Sequence, residues 1–80
     1  MRVIMQRVIR DVPLGRNIQN IRLKKGLTQD QLVAKMQIRG SSMSRSTLAN
    51  IETGRRNIKA YDLKIMKEIL NVPYEEFFEN

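Results

Sequence analysis

Eighty residues make one small domain, and a chain this short buries only about 60% of the surface its unfolded form exposes, so its core is modest. It has no cysteine and no histidine; this excludes disulfide staples, thiolate chemistry and the commonest general base and metal ligand. Fifteen Lys and Arg stand against eight Asp and Glu, a formal net charge of +7, and such an excess suggests a polyanionic partner.

The charge is uneven. Glu75, Glu76 and Glu79 lie at the end, so residues 1–72 hold all 15 bases and five acids, a net of +10. The three terminal acids read as a solvated end, not as catalytic carboxylates. The longest apolar stretch is three residues, against about 20 for a membrane-spanning helix. The basic start, Met1 to Arg10, lacks the apolar core and cleavage site of a signal peptide. The expectation is a cytoplasmic protein with no membrane association, no cofactor and no metal, which is not an enzyme.

Residues 1–12 form an opening segment. Val3, Ile4, Met5, Val8 and Ile9 are interrupted by Arg2, Arg7 and Arg10, a pattern open to a short strand, a helical turn or a basic arm. Pro13 closes it, and residues 13–80 form the domain proper. A first helix is predicted from about Leu14 to Lys25, with Leu14, Ile18 and Ile21 on one face and Gly26 as its stop. The second has the clearest start. Thr28 is the N-cap and Gln31, three residues on, completes a capping box, with Leu27 and Leu32 as the matching hydrophobic staple. Leu32, Val33 and Met36 point inward, and the helix ends near Met36 or Gln37.

Residues 38–43 read as a loop. A third helix starts at an N-cap, Ser44, with Met43 and Leu48 as a second staple and Gly54 as its end. Leu48 and Ile51 give it a narrow buried stripe, while Arg45 to Asn50 otherwise are polar or small, so one face is left for a partner. A fourth helix covers about Ala60 to Leu70, with Tyr61, Leu63, Ile65, Met66, Ile69 and Leu70 on a wide apolar face and Asn71 as a left-handed cap. A last turn, Pro73 to Phe78, is expected to fold Tyr74, Phe77 and Phe78 onto the core. The class is all-α, with four to five helices and no convincing long strand.

Two stretches carry a resemblance. Leu27-Thr28-Gln29-Asp30-Gln31-Leu32 and Ser44-Arg45-Ser46-Thr47-Leu48-Ala49-Asn50-Ile51-Glu52-Thr53-Gly54-Arg55-Arg56 together resemble the Cro/repressor-type (Xre-like) helix-turn-helix family, over roughly Leu14 to Phe78. The resemblance implies a compact lambda-repressor-like domain with the third helix in the major groove of double-stranded DNA. It implies base contacts from Arg45, Ser46 and Asn50, a phosphate contact from Gln29, and a backbone or thymine-methyl contact from Thr47. Arg55 and Arg56 would grip phosphates, and Arg22 with Glu52 would form a structural ion pair. Eight residues separate Lys35 from Ser44 where the family commonly has three, so the turn is extended, and the extra residues are expected to bulge outward. Lys59 also stands where a capping Ser or Asp is usual.

The residue chemistry points the same way. The major groove, about 12 Å wide, admits one helix, whose N-terminal residues meet base edges. Arg45 can donate two bonds to guanine and Asn50 can pair with adenine, each worth about 1–3 kcal/mol of discrimination. Ala49 permits close approach and can meet a thymine methyl. Arg39 on the turn, with Arg55, Arg56 and Lys59 past the third helix, supplies phosphate contacts, which dominate affinity. The first expectation is therefore a sequence-specific transcription regulator, a repressor acting as a homodimer. The alternative is an antitoxin-like module that binds a protein partner through residues 1–12 and also its own operator. RNA reading fits less well, because it needs aromatic platforms and the four aromatics fall in core or tail positions.

Overall fold

The computed structural model describes residues 13–80. The expectations for residues 1–12, whether arm, strand or partner surface, lie outside the described residues. Five helices follow in order: α1 Leu14–Lys24, α2 Gln29–Ile38, α3 Arg45–Glu52, α4 Ala60–Leu70 and α5 Tyr74–Phe77. No strand occurs among the described residues.

The helix starts follow local chemistry. The Thr28 hydroxyl accepts from the Gln31 N–H at 3.1 Å, and Gln31 Oε1 accepts from the Thr28 N–H at 2.8 Å. Two amides that the helix itself cannot satisfy are thereby paired. Ser44 caps α3 in the same way, its hydroxyl accepting from the Thr47 N–H at 3.1 Å. Helices α1, α4 and α5 start without a side-chain cap. At α4 this matches the Lys59 departure.

The second helix runs further than the sequence suggested, through Ile38 to a C-cap at Arg39. Gly40 ends it in the left-handed region, φ 95°. Its N–H donates to Gln37 O at 3.0 Å and the Ser41 N–H donates to Met36 O at 3.1 Å. This pair of bonds is a Schellman closure, in which a residue without a Cβ is favoured. Part of the extra length is thus spent on helix. The remainder does not bulge freely outward. Ser41 is buried, donates to Asp62 Oδ1 of α4 at 2.8 Å and accepts from the Met43 N–H at 3.0 Å. Met43 is buried too, and Gln37 Nε2 donates to its carbonyl at 2.8 Å. Between Lys35 and Ser44, Gln37, Ile38, Arg39, Gly40 and Ser42 face solvent.

One core unites the helices: Ile18 and Ile21 of α1, Leu32 and Met36 of α2, Leu48 and Ile51 of α3, Ile65, Met66 and Leu70 of α4, and Phe77 of α5. Met36, Met43 and Met66 fill it as flexible apolar side chains can. The expected aromatic closure is only partly realised: Phe77 is fully buried, whereas Tyr74 and Phe78 are 42% and 46% exposed. The helix ends at Phe77, so Phe78 stands at its C-cap and not on a continued helical face. Tyr74 instead lies under Lys67, whose ammonium is 5.2 Å from the ring centroid. Tyr61 also lies outside the core, at 58% exposure, its hydroxyl beside Gly40. Asn17 fastens the C-terminal turn to α1 by donating to Phe77 O at 2.9 Å and Glu79 O at 2.6 Å.

Helices α1 and α3 meet at backbone distance. A Cβ placed on Gly15 would lie 2.1 Å from the Ile51 carbonyl oxygen. Only glycine allows this approach, and it fixes the rear of α3.

Candidate nucleic-acid interface

Helix α3 is eight residues long and buries Leu48, Ile51 and Glu52. Arg45 with Ala49, and Ser46 with Asn50, are i, i+4 pairs, so these four side chains share the opposite face. Arg45 and Ser46 are exposed, and Ala49 and Asn50 are half-buried. The Ser44 cap also orders Thr47: Ser44 Oγ donates to Thr47 Oγ1 at 2.9 Å. A helix of eight residues is marginal in isolation, so its cap and its buried stripe hold it.

Behind that face lies a buried ion pair. Arg22 Nε and Nη2 donate to the two Glu52 carboxylate oxygens at 2.7 and 3.0 Å, with side-chain exposures of 7% and 1%. Arg22 Nη1 also donates to Leu27 O at 2.8 Å. Gln29 Nε2 completes the carboxylate's surroundings at 3.0 Å. The bidentate geometry is the strong form of this interaction. It joins α1, the entry to α2 and the end of α3. Among the described residues no buried side-chain polar atom lacks a partner.

The structure draws the expected contact residues into three groups. Arg45, Ser46, Thr47, Ala49 and Asn50 lie on α3. Arg55, Arg56 and Lys59 follow it, all exposed. The first two are tied to its end, because the Asn50 carbonyl accepts their N–H groups at 2.9 and 3.2 Å. Gln29 stands at the start of α2, half-buried, with its amide engaged by Glu52; one side-chain N–H and the helix-terminal amides are left for an anion. Arg39 stands apart. It lies at the far end of α2, about 15 Å along a ten-residue helix, and pairs with Glu68 of α4 at 3.5 Å.

Three contributors had not been singled out from the sequence. Gly15 is a glycine inside an amphipathic helix pattern, a signal of close approach. Ser41 sits in a serine-rich stretch without a distinguishing mark. Asp30, in the first turn of α2, stands against Arg45 at 3.7 Å, both about 70% exposed; acids are common at that position for helix-dipole reasons, which hides a second role.

Two capped helices joined through a turn, the second presenting a polar face, form a helix-turn-helix, and the helix-turn-helix family model matches residues 18–77. The chain belongs to the Cro/repressor-type helix-turn-helix family. No curated protein and no solved structure matches it. Membership makes this helix-turn-helix domain a DNA-binding module of transcription regulation. No helix among the described residues is long and apolar enough to cross a membrane.

Proposed function

We propose that the domain is a sequence-specific transcription repressor that binds duplex DNA as a homodimer and acts by binding, not by catalysis. The observation that carries this reading is the outward face of α3. Arg45, Ser46, Ala49 and Asn50 are aligned on a capped helix whose other face is locked by Leu48, Ile51 and the Arg22–Glu52 pair. A rigid helix of this kind can hold side chains in register with base edges.

In this reading Arg45 reads a guanine and Asn50 an adenine, Ser46 bonds a base edge and Ala49 touches a thymine methyl. Thr47, Gln29, Arg55, Arg56, Lys59 and Arg39 bind phosphates, Arg39 in competition with its Glu68 contact. One domain reads one half-site, and two-fold pairing doubles the contacts. Occupation of a promoter by the dimer excludes other proteins, which supports repression.

The test is selection from a random duplex library at about 150 mM salt, where phosphate contacts alone bind weakly. Wild type is expected to enrich a palindrome with half-sites about one helical turn apart. Arg45→Ala is expected to lose preference at one position per half-site. Enrichment of the same site by both proteins, or of none by wild type, refutes base reading by α3.

A further inference from the structure

Arg45 does not face solvent alone. Its Nη1 lies 3.7 Å from Asp30 Oδ2, and the two side chains are 68% and 70% exposed. Asp30 belongs to the first turn of α2, beside Gln29, and Arg45 is the first residue of α3. A carboxylate therefore stands on the surface that meets a polyanion. For raw affinity this is a cost, since it repels the phosphates that the surrounding cations attract. As a stabiliser of the fold an exposed pair of this kind contributes little. The helix dipole accounts for an acid in this turn, but not for its standing against the first residue of α3.

We propose that Asp30 is a specificity-setting residue: it positions the Arg45 guanidinium for base reading and penalises complexes in which Arg45 binds phosphate instead. The inference rests on the reading of α3 as the base-reading helix. Guanidinium has five N–H donors in a planar fork. Two can meet guanine O6 and N7 while the remaining edge keeps the carboxylate, so in a correctly seated complex Asp30 holds the reader in place. In a mismatched complex no guanine receives Arg45. The guanidinium then turns to the phosphate backbone and Asp30 is left facing anions unpaired. The carboxylate thus offsets its own repulsion only at the correct sequence.

A double-mutant cycle tests this. Wild type, Asp30→Asn, Arg45→Ala and the double variant are titrated against the selected duplex and a scrambled duplex at two salt concentrations, with melting temperatures confirming that each is folded. Asp30→Asn is expected to tighten binding to the scrambled duplex more than to the selected one, so that the selected-to-scrambled ratio falls by about two- to fivefold, the range an exposed ion pair provides. In the Arg45→Ala background the same change is expected to leave the ratio unaltered. A wild type that discriminates while Asp30→Asn tightens both duplexes equally overturns the proposal and leaves base reading by α3 intact. So does an equal fall in the ratio with and without Arg45, which would make Asp30 an independent contact. A wild type that does not discriminate overturns base reading itself, and this proposal with it.

Discussion

Gly15→Ala sets two well-known effects against each other. In an exposed helix the change stabilises by about 0.5–1 kcal/mol, because alanine loses less backbone freedom on folding. Here the new methyl would stand 2.1 Å from Ile51 O, and at 3.1 Å from both Ile51 C and Glu52 O. Reaching even 3.0 Å requires α1 and α3 to part by 0.9 Å. The obstacle is backbone, which cannot rotate away. The same Ile51 carbonyl accepts the Gly54 N–H that closes α3, so the movement strains the helix end as well. Overpacking of this kind costs about 1–3 kcal/mol. The contact wins over propensity, for a net loss of roughly 0.5–2 kcal/mol, which in a domain of this size lowers the melting temperature by several degrees. Thermal unfolding followed by circular dichroism at fixed pH and salt reads it. A melting temperature that rises with Gly15→Ala would refute the reasoning, since it would mean that α1 and α3 do not touch through their backbones.

Glu52→Gln keeps the shape of the buried pair but leaves Arg22 charged and uncompensated. The expected loss is about 3–5 kcal/mol, measured by urea unfolding, and Arg22→Met combined with Glu52→Leu should recover part of it. Arg55→Ala and Arg56→Ala are each expected to weaken binding to all duplexes alike and to lower the slope of log affinity against log salt by about one; a change confined to one sequence would instead make either residue a base reader. Ser41→Ala removes the bonds to Asp62 and Met43 and should destabilise by about 1–3 kcal/mol, as a buried N–H and a half-buried carboxylate lose a partner. An unchanged urea midpoint would show that the turn is not held there.

The sequence made the helices legible because their signals are local. Thr28 with Gln31, Ser44 before Leu48, and Gly26, Gly54 and Asn71 at helix ends each act within a few residues. Gly40 carried the same signal but was hidden by its setting: with Arg39, Ser41 and Ser42 it reads as loop, although the glycine was ending a helix that continued to Ile38. The aromatic end was overread because Tyr74, Phe77 and Phe78 stand at i, i+3 and i+4, the spacing of one face of a continuing helix, whereas the helix ends at Phe77. Arg22 and Glu52, 30 residues apart, have no periodic relation and were linked only through the family resemblance. The contacts of Asp30, Ser41 and Gly15 depend on how helices cross, which a linear pattern does not encode. Arg45, Ser46, Ala49 and Asn50 could be placed on one face from spacing alone, since that face belongs to a single helix.

The tie at Ser41 divides the connection between α2 and α3 into unequal parts. Beyond it, Met43 is in the core and Ser44 starts α3, so the chain there has little freedom to change. Ahead of it, Ile38 is 86% exposed and makes none of these bonds. The chain has no cysteine of its own, so Ile38→Cys would offer a single attachment point for a spin label or fluorophore. Such a label would sit on an exposed stretch outside the Ser41 tie, at the end of α2 opposite Gln29, and would report DNA binding from a position that leaves the reading helix untouched.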